Sequence, residues 1–288
     1  MDEKDLNKFQ KLSKKRRLDV RGSEKDLMAL AKKLQRVLGK FILNDIIPNL
    51  DFVNGKIANT RANMRKLNAS TKLKSFMKKN INKPLFNIYK SGFKSINKDT
   101  RLLYNFYKPQ TTITNQIIDK SQIGAQGFLD DLFENNTVMS GIKKTLKKGV
   151  TASLTSQEVQ NLISDSIEGT EKRLGLLEAF HASEGRDQFL AYQRGLDEQF
   201  SQKLKLNYAI YAGDEIATTR IFCESRVGNV YNRETILSWD DLQWQGKKPD
   251  NEILIDLGGY NCRHDLDWIT YELAILIDED IQKSKFDK

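Results

Sequence analysis

The chain has 288 residues, with 39% hydrophobic and 30% charged residues and a net charge of +9. That is enough length for two domains, or for one domain with a long helical arm. The low apolar share, the high charge and only four prolines argue against a compact enzyme and for an elongated helical protein.

The charge is unevenly placed. Residues 1–100 carry 25 Lys/Arg against 9 Asp/Glu, a net of +16. Residues 101–200 carry 11 against 13, and residues 201–288 carry 11 against 16. A basic front and an acidic back point to two partners, a polyanion and a protein. The opening Met1-Asp2-Glu3-Lys4-Asp5 has no apolar core behind it, so synthesis in a cytoplasm is expected. No apolar run approaches a membrane span.

Residues 1–22 are expected to form a basic flexible arm. Lys14, Lys15, Arg16 and Arg17 are its densest cationic run and read equally as a solvated tail or as phosphate contacts. Ser23-Glu24-Lys25-Asp26 then has the form of a helix start. Leu27, Leu30, Ala31, Leu34, Val37, Leu38, Phe41 and Ile42 follow as one amphipathic stripe. Pro48 ends that helix.

The basic helical region runs over 23–108. Between 55 and 107, Arg61, Arg65, Lys66, Lys72, Lys74, Lys78 and Lys79 alternate with Phe76, Leu85, Phe86, Tyr89 and Phe93. The aromatics are assigned to a core and the cations to a nearby polyanion of the nucleic-acid kind. Lys108-Pro109-Gln110 is the expected boundary.

A helical lead-in spans 109–206. Glycines at 124, 127, 141 and 149 suggest short helices and turns before Thr155-Ser156-Gln157-Glu158, a capping box. Residues 184–204 read as another helix, with Phe189, Tyr192, Leu196 and Phe200 on one face.

From 207 to 288 a small α+β domain is expected. Tyr208 to Tyr211 reads as a strand ending at Gly213. Val227-Gly228-Asn229-Val230-Tyr231 reads as a hairpin, and Ile253-Leu254-Ile255 as a short strand before Gly258-Gly259. The run from Trp268 to Ile277 fits strand or helix. The overall fold class is therefore α+β, with a long basic helical region before a small domain holding a Cys pair.

Cys223 and Cys262 are the two cysteines, and His264 is one of two histidines. A disulfide closing a loop of about 40 residues comes first among their readings, then two buried free thiols, then a metal site with His264. The metal comes last because a fourth ligand would have to be Asp265 or Asp267. No cofactor is expected. A Cys262–His264 catalytic dyad lacks an orienting group. Arg220 and Arg263 are expected to brace the loops by pairing with Asp214, Glu224 or Asp256, and His181 to be structural. Phosphate loops, nucleophile elbows and zincin motifs are missing, so no catalytic residues are assigned.

The pattern Tyr211-x-Gly213, then Thr219-Arg220-x-Phe222-Cys223, Trp239, Trp244-Gln245-Gly246-Lys247 and Gly258-Gly259-Tyr260-Asn261-Cys262-Arg263-His264 resembles the C-terminal domain of phage Mu F-like minor head proteins. The stretch from Leu129 to Leu206 is similar to that family's helical lead-in. Many members carry a further cysteine where this chain has His264, so richer thiol chemistry is not carried over. The resemblance implies a non-enzymatic virion protein of the phage head. Its expected partners are the portal or major capsid protein, packaged double-stranded DNA and further copies of itself, with no membrane. Two other expectations stay open: a capsid-interior or ejected DNA-binding protein, and a phage-encoded effector enzyme.

Overall fold

A computed structural model describes residues 1–107, 115 and 137–281. In chain order its helices are α1 (Glu3–Phe41), α2 (Arg61–Asn68), α3 (Thr71–Phe76), α4 (Lys83–Tyr104), α5 (Thr137–Thr151), α6 (Ser156–Ile163), α7 (Leu176–Phe180), α8 (Arg186–Leu204), α9 (Ile221–Glu224), α10 (Arg233–Ser238), α11 (Ile253–Asp256) and α12 (Tyr271–Ile277). The strands are β1 (Phe52–Val53), β2 (Lys56–Ile57), β3 (Gly169–Thr170), β4 (Arg173–Leu174), β5 (Tyr208–Ala212), β6 (Val230–Asn232) and β7 (Asp265–Ile269). The structure is 69% helical, and among the described residues a three-stranded sheet lies near the C-terminus, so the class is α+β. Among the described residues no helix is long and apolar enough to cross a membrane.

The described residues form two compact units. One takes those of Met1–Ser23, Ser91–Gln126 and Arg186–Lys288; the other takes those of Glu24–Lys90 and Gly127–Gly185. These units do not follow the four linear segments expected from composition. Helix α1 contributes to both units, and so does α4. The expected boundary at Lys108-Pro109-Gln110 lies outside the described residues.

In the first unit the sheet order is β6-β5-β7, antiparallel throughout. Tyr211 of β5 stands opposite Leu266, and Ile210 opposite Asp267. Every residue of β7 is buried. Trp268 is almost fully enclosed, with the Arg233 guanidinium 4.1 Å over its ring.

Residues 1–22 are not a flexible arm. They belong to the continuous helix α1, and no helix starts at Ser23. The apolar stripe that begins at Leu27 reaches back along the helix: Phe9, Ser13, Arg16 and Val20 are all buried. They repeat at three- and four-residue steps, which keeps them on one face. Two of the four are polar, which hides the stripe in the sequence.

Three local expectations also differ. Residues 227–231 form no hairpin of their own. Instead β6 pairs with β5, while Gly228 N–H donates to Tyr211 O. Ile253-Leu254-Ile255 is helical rather than extended, and the Asp256 carboxylate accepts from Glu252 N–H at its start. Gly141 and Gly149 sit inside helix α5.

In the second unit the capping box at α6 is present, with both Thr155–Glu158 hydrogen bonds formed. Phe76 stacks on Phe41 at 3.8 Å between centroids. Tyr89 is fully buried, and its hydroxyl lies 2.9 Å from His181 Nδ1. Burial pushes the His181 pKa from 6.5 down to about 4. Between those values the folded state binds fewer protons than the unfolded chain. The stability from neutral His181 is therefore complete above about pH 6.5 and is lost as pH falls towards 4. Urea unfolding across this range is expected to show a loss of about 3 kcal/mol, and His181→Phe is expected to flatten that slope.

Candidate functional site

The motif residues of the C-terminal segment converge around the two cysteines. Cys223 lies on the short helix α9, and Cys262 on the turn leading into β7. The turn uses left-handed backbone at Leu257, Gly259 and Asn261. Both thiols are buried and unjoined, with the sulfurs 4.0 Å apart. A disulfide has about 2.05 Å between sulfurs, so the structure holds the second of the three sequence readings. His264 Nδ1 is 3.8 Å from Cys262 Sγ. The Tyr211 hydroxyl donates to Cys223 Sγ at 3.2 Å.

Two glycines make this approach possible. A Cβ at Gly258 would lie 2.4 Å from Cys223 Sγ and 3.0 Å from Cys262 Sγ. A Cβ at Gly213 would lie 2.6 Å from His264 Cδ2. Around them, Trp244 Nε1–H donates to Gly258 O at 3.0 Å, and Phe222 stacks on Trp244 at 3.9 Å. Trp239 meets the edges of Phe222 and Tyr211. Thr219 closes a turn by accepting from Ile216 N–H. Asn261 N–H donates to Asp187, and Arg263 is half-buried.

Among the described residues Arg220 has no acidic partner; it donates to Tyr260 O at 2.6 Å. Its expected partners are taken elsewhere, Asp214 by Arg21 and Asp256 by Lys248. Asp265 and Asp267 are not beside the thiols either. Side chains alternate along a strand, and these two turn towards Arg194, Arg16 and Arg17.

The thiol pair is electrically asymmetric. The hydrogen bond from Cys223, then His264 and Arg194, holds Cys262 well below its ordinary pKa. The same sulfur contact, followed by burial, pushes Cys223 up.

Composition gave no sign of Arg194, which fixes this turn from behind. It is buried on α8 and donates to Cys262 O at 2.9 Å, His264 O at 2.6 Å and Ile255 O at 2.9 Å. Next to it, three guanidiniums meet three carboxylates. Arg16, fully buried, bonds Asp197 and also Asp267 at 3.0 Å. Arg17 bonds Asp267 at 2.9 Å, Ser13 donates to the same carboxylate, and Arg194 lies 3.6 Å from Asp265. Burial opposes the charge on Arg16, but Asp197 and Asp267 outweigh it and raise its pKa. Burial pushes Asp197 up to about 7 against the pull of Arg16.

Arg16 and Arg17 are therefore structural ligands of this unit, not cations presented to DNA. Lys14 and Lys15 remain exposed, and Lys15 pairs with Asp19 and Asp99. Arg61, Arg65, Lys66, Lys72, Lys74, Lys78 and Lys79 are all exposed in the second unit. Two of these have acidic neighbours: Lys66 bonds Asp51 at 2.7 Å and Lys72 lies 3.8 Å from Asp45. The sequence reading missed the cations of α5. Lys143, Lys144 and Lys147 line an open groove of about 790 Å³ with Lys74, Met139 and Ser140. Their i, i+1, i+4 spacing on one helix was the available signal.

Comparison with protein-family models, curated proteins and solved structures returned no match.

Breaking the buried network by Arg16→Met leaves Asp197 and Asp267 short of a counter-charge. It is expected to cost about 3–5 kcal/mol in urea unfolding. Lys14→Met, two residues away and exposed, is expected to leave the midpoint unchanged.

Proposed function

We propose that this chain is a minor head protein of a bacteriophage, Mu F-like in type, acting in head assembly next to the portal and the packaged DNA without catalysing a reaction. The observation that carries this reading is the convergence of the motif residues. Tyr211, Gly213, Phe222, Cys223, Trp244, Gly258, Cys262 and His264 are spread over 54 positions yet pack as one centre. Residues that recur in a family pattern for folding reasons would be arranged in this way. Around the buried thiols lie the Tyr211 hydroxyl, the His264 imidazole and the hydrogen bond from Trp244 to Gly258 O.

The second support is electrostatic. The exposed cations of the second unit, with the half-buried Lys143 and Lys147 of the α5 groove, give a surface suited to a phosphate backbone. In this reading the portal or major capsid protein and double-stranded DNA are the partners, with self-association among copies, and the protein resides in the virion after synthesis in the host cytoplasm.

Quantitative mass spectrometry of purified particles tests the assignment. A few copies per particle are expected, and absence from particles would contradict it. The DNA contact has its own test. Replacing Lys74, Lys143, Lys144 and Lys147 by alanine is expected to reduce the slope of log affinity against log salt by about 3–4, as measured by fluorescence anisotropy with duplex DNA.

A further inference from the structure

We propose that Cys223, Cys262 and His264 form a binding site for one zinc ion per chain. The three donor groups are all buried, and their ligand atoms lie within 4.8 Å of one another. This inference stands apart from the head-protein reading and uses only the geometry of the first unit.

Two of the three donor pairs lie at distances that match a single centre, and the third, Cys223 with His264, is within 4.8 Å. With zinc–sulfur bonds of about 2.3 Å and zinc–nitrogen bonds of about 2.0–2.1 Å, a tetrahedral ion sets two sulfurs about 3.8 Å apart and a sulfur about 3.6 Å from a nitrogen. The sulfurs here are 4.0 Å apart, and Cys262 Sγ is 3.8 Å from His264 Nδ1. A contraction of a few tenths of an ångström would complete those two pairs. A disulfide would need the sulfurs to close by about 2 Å.

The donors also select the ion. Two thiolates and an imidazole prefer zinc-class cations to magnesium or calcium. As a core residue His264 is poorly satisfied: Nε2 is buried with no hydrogen-bond partner, and Nδ1 meets only sulfur. Ligation at Nδ1 would replace its long contact with sulfur by a metal bond, while Nε2 gains nothing from it.

The frame is held in advance. Arg194 fixes the carbonyls of both Cys262 and His264. The bare backbone of Gly258 lets the two sulfurs lie against it, and that of Gly213 leaves room for the imidazole. Asp265 and Asp267 are engaged with arginines on the opposite face of β7, so the fourth position falls to a water, with the Tyr211 hydroxyl next to Cys223. Zinc uptake releases the thiol protons and leaves both sulfurs as thiolates.

The test uses the full chain, purified under reducing conditions and stripped with a chelator. Zinc titration, followed by elemental mass spectrometry after desalting, is expected to give one ion per chain. Cobalt loading is expected to give thiolate-to-metal charge-transfer absorption, which carboxylate or surface-histidine binding does not produce. Cys223→Ser, Cys262→Ser and His264→Gln are each expected to lower zinc affinity at least tenfold. Two results on the wild-type chain would overturn the proposal without relying on any variant. One is no zinc uptake by folded protein whose two thiols titrate as free. The other is purification with the two sulfurs already joined and metal absent. Equal zinc uptake by a folded His264→Gln/Cys262→Ser chain would also overturn it.

Discussion

A fully buried guanidinium constrains the first unit more than any other group. Arg16 has no exposed surface, and an uncompensated charge there would cost many kcal/mol. Its position is tolerable only where carboxylates reach it, and those come from α8 and β7. The same requirement sets the direction of β7. With Asp265 and Asp267 facing the arginines, alternation sends Leu266 and Trp268 to the other face. The Cys262–His264 turn that leads into this strand is then pinned by Arg194, one helical turn before Asp197 on α8. Charge compensation in the core and thiol placement are in this way two outcomes of one strand register, Tyr211 against Leu266.

This arrangement redistributes the charge that dominates the composition. The densest basic run lies at residues 14–17, yet three of its four cations pair with carboxylates of the protein itself. Arg16 and Arg17 neutralise the core carboxylates, and Lys15 pairs with Asp19 and Asp99. The cations available to a polyanion lie further along the chain, in the second unit and on α5. A count of net charge by segment cannot separate these two uses, because a buried ion pair and a solvated lysine contribute alike to the sum.

The sequence was legible where the signal is local. The capping box at Thr155, the strand from Tyr208, the helix through Phe189 and Phe200, and the stripe from Leu27 to Ile42, apart from the exposed Val37, all follow from local spacing and composition. So did the nearness of the two cysteines, once the Gly-rich turns around them were noticed. What it concealed depends on distant partners. Ser13 and Arg16 look like surface residues until Asp197 and Asp267, more than 180 positions on, are placed against them. The alternation of the two units along the chain is hidden for the same reason. Ile253 to Ile255 read as a strand because three aliphatic residues carry no period; Asp256, capping Glu252 N–H, favours the helical turn.

Amide hydrogen exchange of residues 1–23, with and without duplex DNA, measures the central claim most directly. If Arg16 anchors this segment in the core, amides between Phe9 and Val20 exchange slowly in the free protein, and DNA leaves their rates unchanged. Rapid exchange in the free protein that slows on adding DNA would contradict the account, and would return the segment to the role of a flexible phosphate-binding arm.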